Sequence, residues 1–253
     1  MKFRFTGTGD SVQVPCFGCH CLACERARLM SRYRRGPCSA KIYSSGESYL
    51  LDAGRMDLAD SCERERPAGV LLTHYHADHV QGLLHLRWGV GESIPIYGPR
   101  DAEGCADLFK HPGILDFRPG LEPFRPLVLG DMNVIPVPLN HSRPTLGYCI
   151  ADSMSRLAYL TDTVGLPGST EHFLRQWQPD IVILDATHPA SHTMPRNHNN
   201  ITMALDILER LNPSQGWLTH LSHDVDAEVL TTYLSLPANV SLAWDGLEIE
   251  LPD

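Results

Sequence analysis

The sequence predicts an α/β fold on three observations. Short apolar runs bounded by turn residues recur along the chain, a helical pattern alternates with them, and polar residues close the runs. The runs Val70–Thr73, Ile94–Tyr97, Val134–Val137, Arg156–Leu160, Asp180–Leu184 and Gln215–Thr219 read as strands. The clearest helix is Ile201–Leu211, where Ile201, Ala204, Leu205, Leu208 and Leu211 share one face and Asp206, Glu209 and Arg210 face water. Asn199 or Asn200 can cap its start, and Asn212-Pro213 ends it. No internal repeat, low-complexity tract or long linker interrupts the 253 residues, so a single domain over 1–253 is expected.

Composition narrows the function classes. Hydrophobic residues make up 43% and charged residues 20%, which excludes a disordered chain. The formal charge of −9 repels phosphate backbones, whereas a general nucleic-acid binder shows the opposite sign and a basic stripe. A small substrate, met by a few local cations, is the expectation. The N-terminus lacks the apolar stretch of a signal peptide, and no run reaches the length of a membrane span, so a cytoplasmic protein is expected. Four of the eight cysteines, Cys16, Cys19, Cys21 and Cys24, crowd into nine positions. In a reducing compartment that clustering reads as metal binding rather than disulfides.

Polar residues close the apolar runs in a regular way. Thr73-His74, Asn140-His141, Thr161-Asp162, Asp185 and Thr219-His220 each follow or end one. Residues at the C-terminal tips of strands project into one rim, the usual place for a site in layered α/β folds. The densest signal is Thr73-His74-Tyr75-His76-Ala77-Asp78-His79. On an extended segment His74 and His76 point the same way, and a turn into a helix carries Asp78 and His79 to a second position. Three imidazoles and a carboxylate within six residues suit two adjacent borderline metals.

His-x-His-x-Asp-His after an apolar strand resembles the signature of the metallo-β-lactamase superfamily, which implies an αββα sandwich of two sheets between helices. His141, Asp162 and His220 match the remaining superfamily ligands in order. The resemblance implies that His74, His76 and His141 hold one metal, Asp78, His79 and His220 the other, and that Asp162 bridges them. Two ions roughly 3.5–4 Å apart suit hydrolysis of phosphate esters, because they acidify water and screen charge at phosphorus. Superfamily acyl hydrolases of the β-lactamase type often carry cysteine in this set, and none stands at these positions.

Two further segments are similar to the transfer-RNA 3′-processing branch. There a carboxylate before Ala-Thr pairs with an added histidine that serves as proton donor. Asp185 and His198 match that pair, with Asp185 one methylene shorter than the branch's glutamate, which leaves its reach open. An alkoxide leaving phosphorus needs a proton, and an imidazole can supply it.

Cys19, Cys21 and Cys24 give three thiolates just before a helix expected to begin near Cys24. A structural zinc needs a fourth ligand. Cys16 is the local candidate and His223 the distant one, and spacing alone does not decide between them. Resemblance weighs in: the whole chain looks like the phosphoribosyl cyclic phosphodiesterase family (PhnP) of the carbon–phosphorus lyase pathway, through strings such as Tyr33-Arg-Arg-Gly-Pro-Cys-Ser and Pro195-Arg-Asn-His. That family implies a structural zinc on Cys19, Cys21, Cys24 and His223, with Cys16 as a bystander. Cys38, Cys62, Cys105 and Cys149 fit no metal spacing.

The resemblance further implies manganese (or zinc) at a dinuclear centre, a small phosphorylated sugar as substrate and a homodimer. The implied reaction opens 5-phospho-α-D-ribose 1,2-cyclic phosphate to ribose 1,5-bisphosphate in phosphonate catabolism. Asp78, His198 and Asp185 are the candidate catalytic residues. Arg34, Arg35 and Arg196 are candidates to clamp substrate phosphate, since guanidinium suits it. Transfer-RNA 3′ processing is the first alternative, but no Gly/Lys-rich arm is present. Thioester or lactone hydrolysis would use the same metal ligands without His198 and Asp185, and a metal-binding subunit without activity would have lost ligands. Gly7-x-Gly9 lacks the third glycine of a dinucleotide fingerprint, and His85, His111, His172, His188 and His192 have no evident partners.

Overall fold

The described residues, 1–191, 193–232 and 234–251 of a computed structural model, form two seven-stranded sheets. The first contains β1 (Lys2–Gly7), β2 (Ser39–Ser44), β3 (Glu47–Leu51), β4 (Gly69–Leu71), β5 (Ile94–Tyr97) and β6 (Leu115–Phe117) in that spatial order. The second runs through β7 (Leu127–Leu129), β8 (Met132–Pro138), β9 (Leu146–Ala151), β10 (Arg156–Leu160), β11 (Ile181–Asp185), β12 (Gln215–Thr219) and β13 (Val240–Leu242). The last strand, β14 (Glu248–Glu250), returns to pair antiparallel with β1. Pairing is parallel from β3 to β6 and from β10 to β13.

Parallel strands buried on both faces read as unbroken apolar runs, and alternation then divides their side chains between two layers. Leu157, Tyr159, Ile181 and Ile183 face Phe3, Phe5, Ile42 and Leu71 across the space between the sheets. Ala158, Leu160, Val182 and Leu184 point the other way, under helices α6 (Gly168–Trp177) and α7 (Ile201–Leu211). Over the outer face of the first sheet, Leu50, Val70, Ile94 and Ile96 pack with Leu58, Cys62, Val80 and Leu83 from three helices. The order is therefore helix, sheet, sheet, helix, the expected αββα sandwich.

The expected helix at Ile201–Leu211 is present to the residue, with the Asn200 side chain accepting from the Met203 N–H and Asn212 ending it in a left-handed conformation. Its buried face differs in one place. Ile207 is buried and Leu205 only half-buried, because the helix tucks under β11 and β12 on that side. The strand expected at Val70–Thr73 stops at Leu71, since the Thr73 N–H is taken by the Asp52 carboxylate. No helix among the described residues is long and apolar enough to cross a membrane.

Candidate metal centre

Every strand tip singled out in the sequence opens onto one rim. His74 follows β4, His141 follows β8, Asp162 follows β10, Asp185 ends β11 and His220 follows β12. Ala77–Val80 forms a short helix that carries Asp78 and His79. Two clusters result, one of His74, His76 and His141 and one of Asp78, His79, Asp162 and His220, and a third group, Asp185 and His198 with Asp162 and His220, overlaps the second.

In the first cluster His76 Nδ1 lies 2.8 Å from His74 Nε2 and 3.1 Å from His141 Nε2. Three ring nitrogens converge there. His141 Nδ1 sits 3.1 Å from the Asn197 carbonyl, which can only accept, so that nitrogen carries the proton and Nε2 presents its lone pair inward.

The second cluster is oriented in the same manner. His79 Nδ1 lies 2.8 Å from Asp52 Oδ2, and His220 Nδ1 lies 2.7 Å from Thr187 Oγ1, which itself donates to Asp185 at 2.9 Å. Both Nε2 atoms then face Asp162 Oδ2 at 3.3 Å. Both are buried without a hydrogen-bond partner among the described residues. A buried nitrogen left that way costs about 1–3 kcal/mol, and a divalent cation among these donors would satisfy both at once. His74 and His141 each lie 3.8 Å from the same Asp162 oxygen, so this carboxylate touches both clusters.

The electrostatics agree with the geometry. Burial opposes a charged His79, but Asp162 and Asp52 more than reverse this and hold it well above its usual value. Burial opposes His220 as well, and Asp162 and Asp78 lift it to about 9. Burial and the imidazoles of His79, His141 and His76 keep His74 well below its usual value. The buried carboxylates draw positive charge into this space, as protons on some rings or as cations between them.

His198 stands over the second cluster. Its ring stacks on His220 with centroids 4.7 Å apart and planes at 16°. His198 Nδ1 lies 2.8 Å from Asp185 Oδ2, so the shorter carboxylate does reach. Asp185 is fully buried and also accepts from the N–H groups of Thr163 and Thr187. Burial lowers the affinity of His198 for a proton, and the Asp185 charge overturns that.

Near the N-terminus, Cys19, Cys21, Cys24 and His223 bring their ligand atoms within 4.8 Å of one another. His223 Nδ1 is 3.7 Å from Cys19 Sγ and 3.5 Å from Cys21 Sγ. The Cys16 thiol turns away to the Phe17 carbonyl, while its N–H donates to Cys24 Sγ. The helix after the knuckle, α1 (Leu22–Leu29), starts earlier than expected, because the Cys21 side chain caps it by accepting from the Cys24 N–H. Helix α8 (His223–Thr231) packs against it and brings His223 to the thiols.

Arg35 corrects the sequence reading. It is buried and holds Asp226 of α8 in a two-pronged ion pair at 2.8 and 2.9 Å, with further bonds to Thr8 Oγ1 and the Ala243 carbonyl. Four of its five N–H donors are committed to the fold, and its burial and its pairing with Asp226 make it part of the scaffold rather than a clamp for a substrate phosphate. Arg34 is exposed beside α1 and bonded to the Ala27 carbonyl, and Arg196 is exposed on the loop that carries His198. Asp52 escaped the sequence reading, although Leu50-Leu51-Asp52 has the same form as the other strand tips. His188, which the sequence left without a partner, has its ring 6.2 Å from that of His198. His192 lies outside the described residues.

Comparisons with known proteins agree with this architecture. Residues 53–221 match the β-lactamase superfamily domain. An octanoyltransferase of Porphyromonas gingivalis is 28% identical over 98% of the chain, which spans about half of that relative, at 51%. A ribonuclease Z of Methanopyrus kandleri is 28% identical over 77% of the chain and 63% of its own length. The crystal structure of a diphosphatase from the PhnP family superposes with a TM-score of 0.81 at 28% identity, covering 99% of this chain and 98% of that one. The chain belongs to the β-lactamase superfamily, with a metallo-β-lactamase fold close to that of a PhnP-family enzyme.

Proposed function

We propose that this chain is a metal-dependent phosphodiesterase that opens a five-membered cyclic phosphate on a small sugar phosphate, with 5-phospho-α-D-ribose 1,2-cyclic phosphate as substrate and ribose 1,5-bisphosphate as product. His74, His76 and His141 would hold one divalent ion, and Asp78, His79 and His220 a second, with Asp162 between them. Bound there, manganese or zinc would supply acidified water and charge stabilisation at phosphorus. The knuckle of Cys19, Cys21, Cys24 and His223 offers the donors of a structural zinc.

The observation that carries the reading is the His198–Asp185 pair. Acyl hydrolysis on such a centre has no need of a second, carboxylate-held imidazole above it. A phosphodiester with a sugar leaving group does, because the departing alkoxide is strongly basic. Asp185 fixes the ring through Nδ1 and favours its protonated form, so Nε2 carries the proton to be given up. Buried on one face against His220, the ring keeps 19% of its side chain exposed, enough to meet a substrate entering from the rim.

A direct test compares two reporter substrates. Purified protein should hydrolyse bis(p-nitrophenyl) phosphate and leave a simple acyl thioester essentially untouched. The opposite preference would overturn the assignment in favour of an acyl hydrolase.

A further inference from the structure

A cleft of about 330 Å³ lies between the outer face of β1 and β2, the helix α2 (Leu58–Arg64) and the turn at Asp245-Gly246. None of the metal-centre residues lines it. Four cations do: Arg4, Lys41, Arg55 and Arg64. In a chain with 21 Lys and Arg against 30 Asp and Glu, four cations around one cleft are a marked departure from the surface as a whole.

The floor is the unusual part. Lys41 projects from β2 with only 5% of its side chain exposed. A buried ammonium is expensive unless its donors are met. Its one bond among the described residues goes to Glu65 at 2.9 Å, and two of its three N–H bonds remain for another acceptor. Glu65 also accepts from the Tyr43 hydroxyl.

The three acidic residues of the lining do not fill that role. Glu65 is engaged as described, and Asp57 is bound at both oxygens by Arg55, at 2.8 and 2.7 Å. Asp245 accepts from the Gly36 N–H and the Thr8 hydroxyl. On the wall, Arg4 meets Glu248 only at 3.8 Å and is half exposed, and Arg64 is exposed at the end of α2. The cleft thus offers a buried ammonium below and two weakly engaged guanidiniums above, which is the donor set of a phosphate site.

We propose that this cleft is a second anion site, which takes the phosphate group of a small metabolite through Lys41, Arg4 and Arg64, apart from the metal centre. It stands independently of the catalytic reading.

Calorimetric titration of the metal-loaded protein with inorganic phosphate, and separately with ribose 5-phosphate, tests this. The wild type should show a binding event that Arg4→Ala/Arg64→Ala weakens at least tenfold, beside any event at the metal centre that both proteins share. Both arginines are exposed, so the variant should fold and keep its turnover of bis(p-nitrophenyl) phosphate. Tighter binding of ribose 5-phosphate would identify a sugar phosphate as the ligand, and equal binding would identify phosphate itself. Identical titrations of wild type and variant with both probes would overturn the proposal and leave the cleft a network of ion pairs.

Discussion

At the scale of single residues, the structure separates groups that hold a position from groups that can act. Asp52, Thr187 and the Asn197 carbonyl fix the protonated nitrogens of His79, His220 and His141, and in each case aim the other nitrogen inward. His198 is held the same way by Asp185, but its ring stays partly exposed while His79 and His220 are buried. If it protonates the leaving oxygen, His198→Ala should slow opening of the cyclic ribose phosphate by ~10²–10⁴-fold. The loss on bis(p-nitrophenyl) phosphate should be far smaller, because p-nitrophenolate leaves without a proton. Asp185→Asn should give a milder version of that split, and neither variant should lose metal. Steady-state kinetics on both substrates, with metal content measured alongside, check this; equal losses would make His198 a phosphate-binding group instead.

Elements explain how much of the site was legible beforehand. A strand buried in a sheet is an apolar run, and the polar residues that follow it lie at its C-terminal tip; so His74, His141, Asp162, Asp185 and His220 could be placed from the sequence. Asp52 has the same placement, but nothing in a lone carboxylate distinguishes a positioning residue from a surface one. Arg35 failed for a related reason. Its charge is visible in the sequence, but its partner Asp226 lies 191 residues away. That ion pair ties the segment before β2 to α8, and the cysteine–histidine knuckle ties α1 to α8. Arg35→Ala leaves Asp226 buried and unpaired, so it should lower stability by about 3–5 kcal/mol in denaturant unfolding. Cys21→Ala should lower the melting temperature and remove one zinc per chain while the centre keeps its ions. Lost activity at an unchanged melting temperature would instead assign the cysteines to the chemistry.

On the scale of the whole molecule, the two sheets bring residues from 52 to 220 to one edge, and the helices outside them seal each sheet. The αββα order followed from resemblance rather than from periodicity, since short apolar runs do not reveal which sheet each strand joins. The charge of −9 is a property of the whole surface and says little about the cationic cleft on the first sheet. The central claim is that hydrolysis occurs at phosphorus in a cyclic sugar phosphate. The most direct measurement follows 5-phospho-α-D-ribose 1,2-cyclic phosphate by phosphorus NMR with purified protein in ¹⁸O-labelled water. The cyclic phosphate resonance should give way to that of a monoester with one ¹⁸O on phosphorus. An intact cyclic phosphate, or label found on the sugar carbon instead, would contradict it.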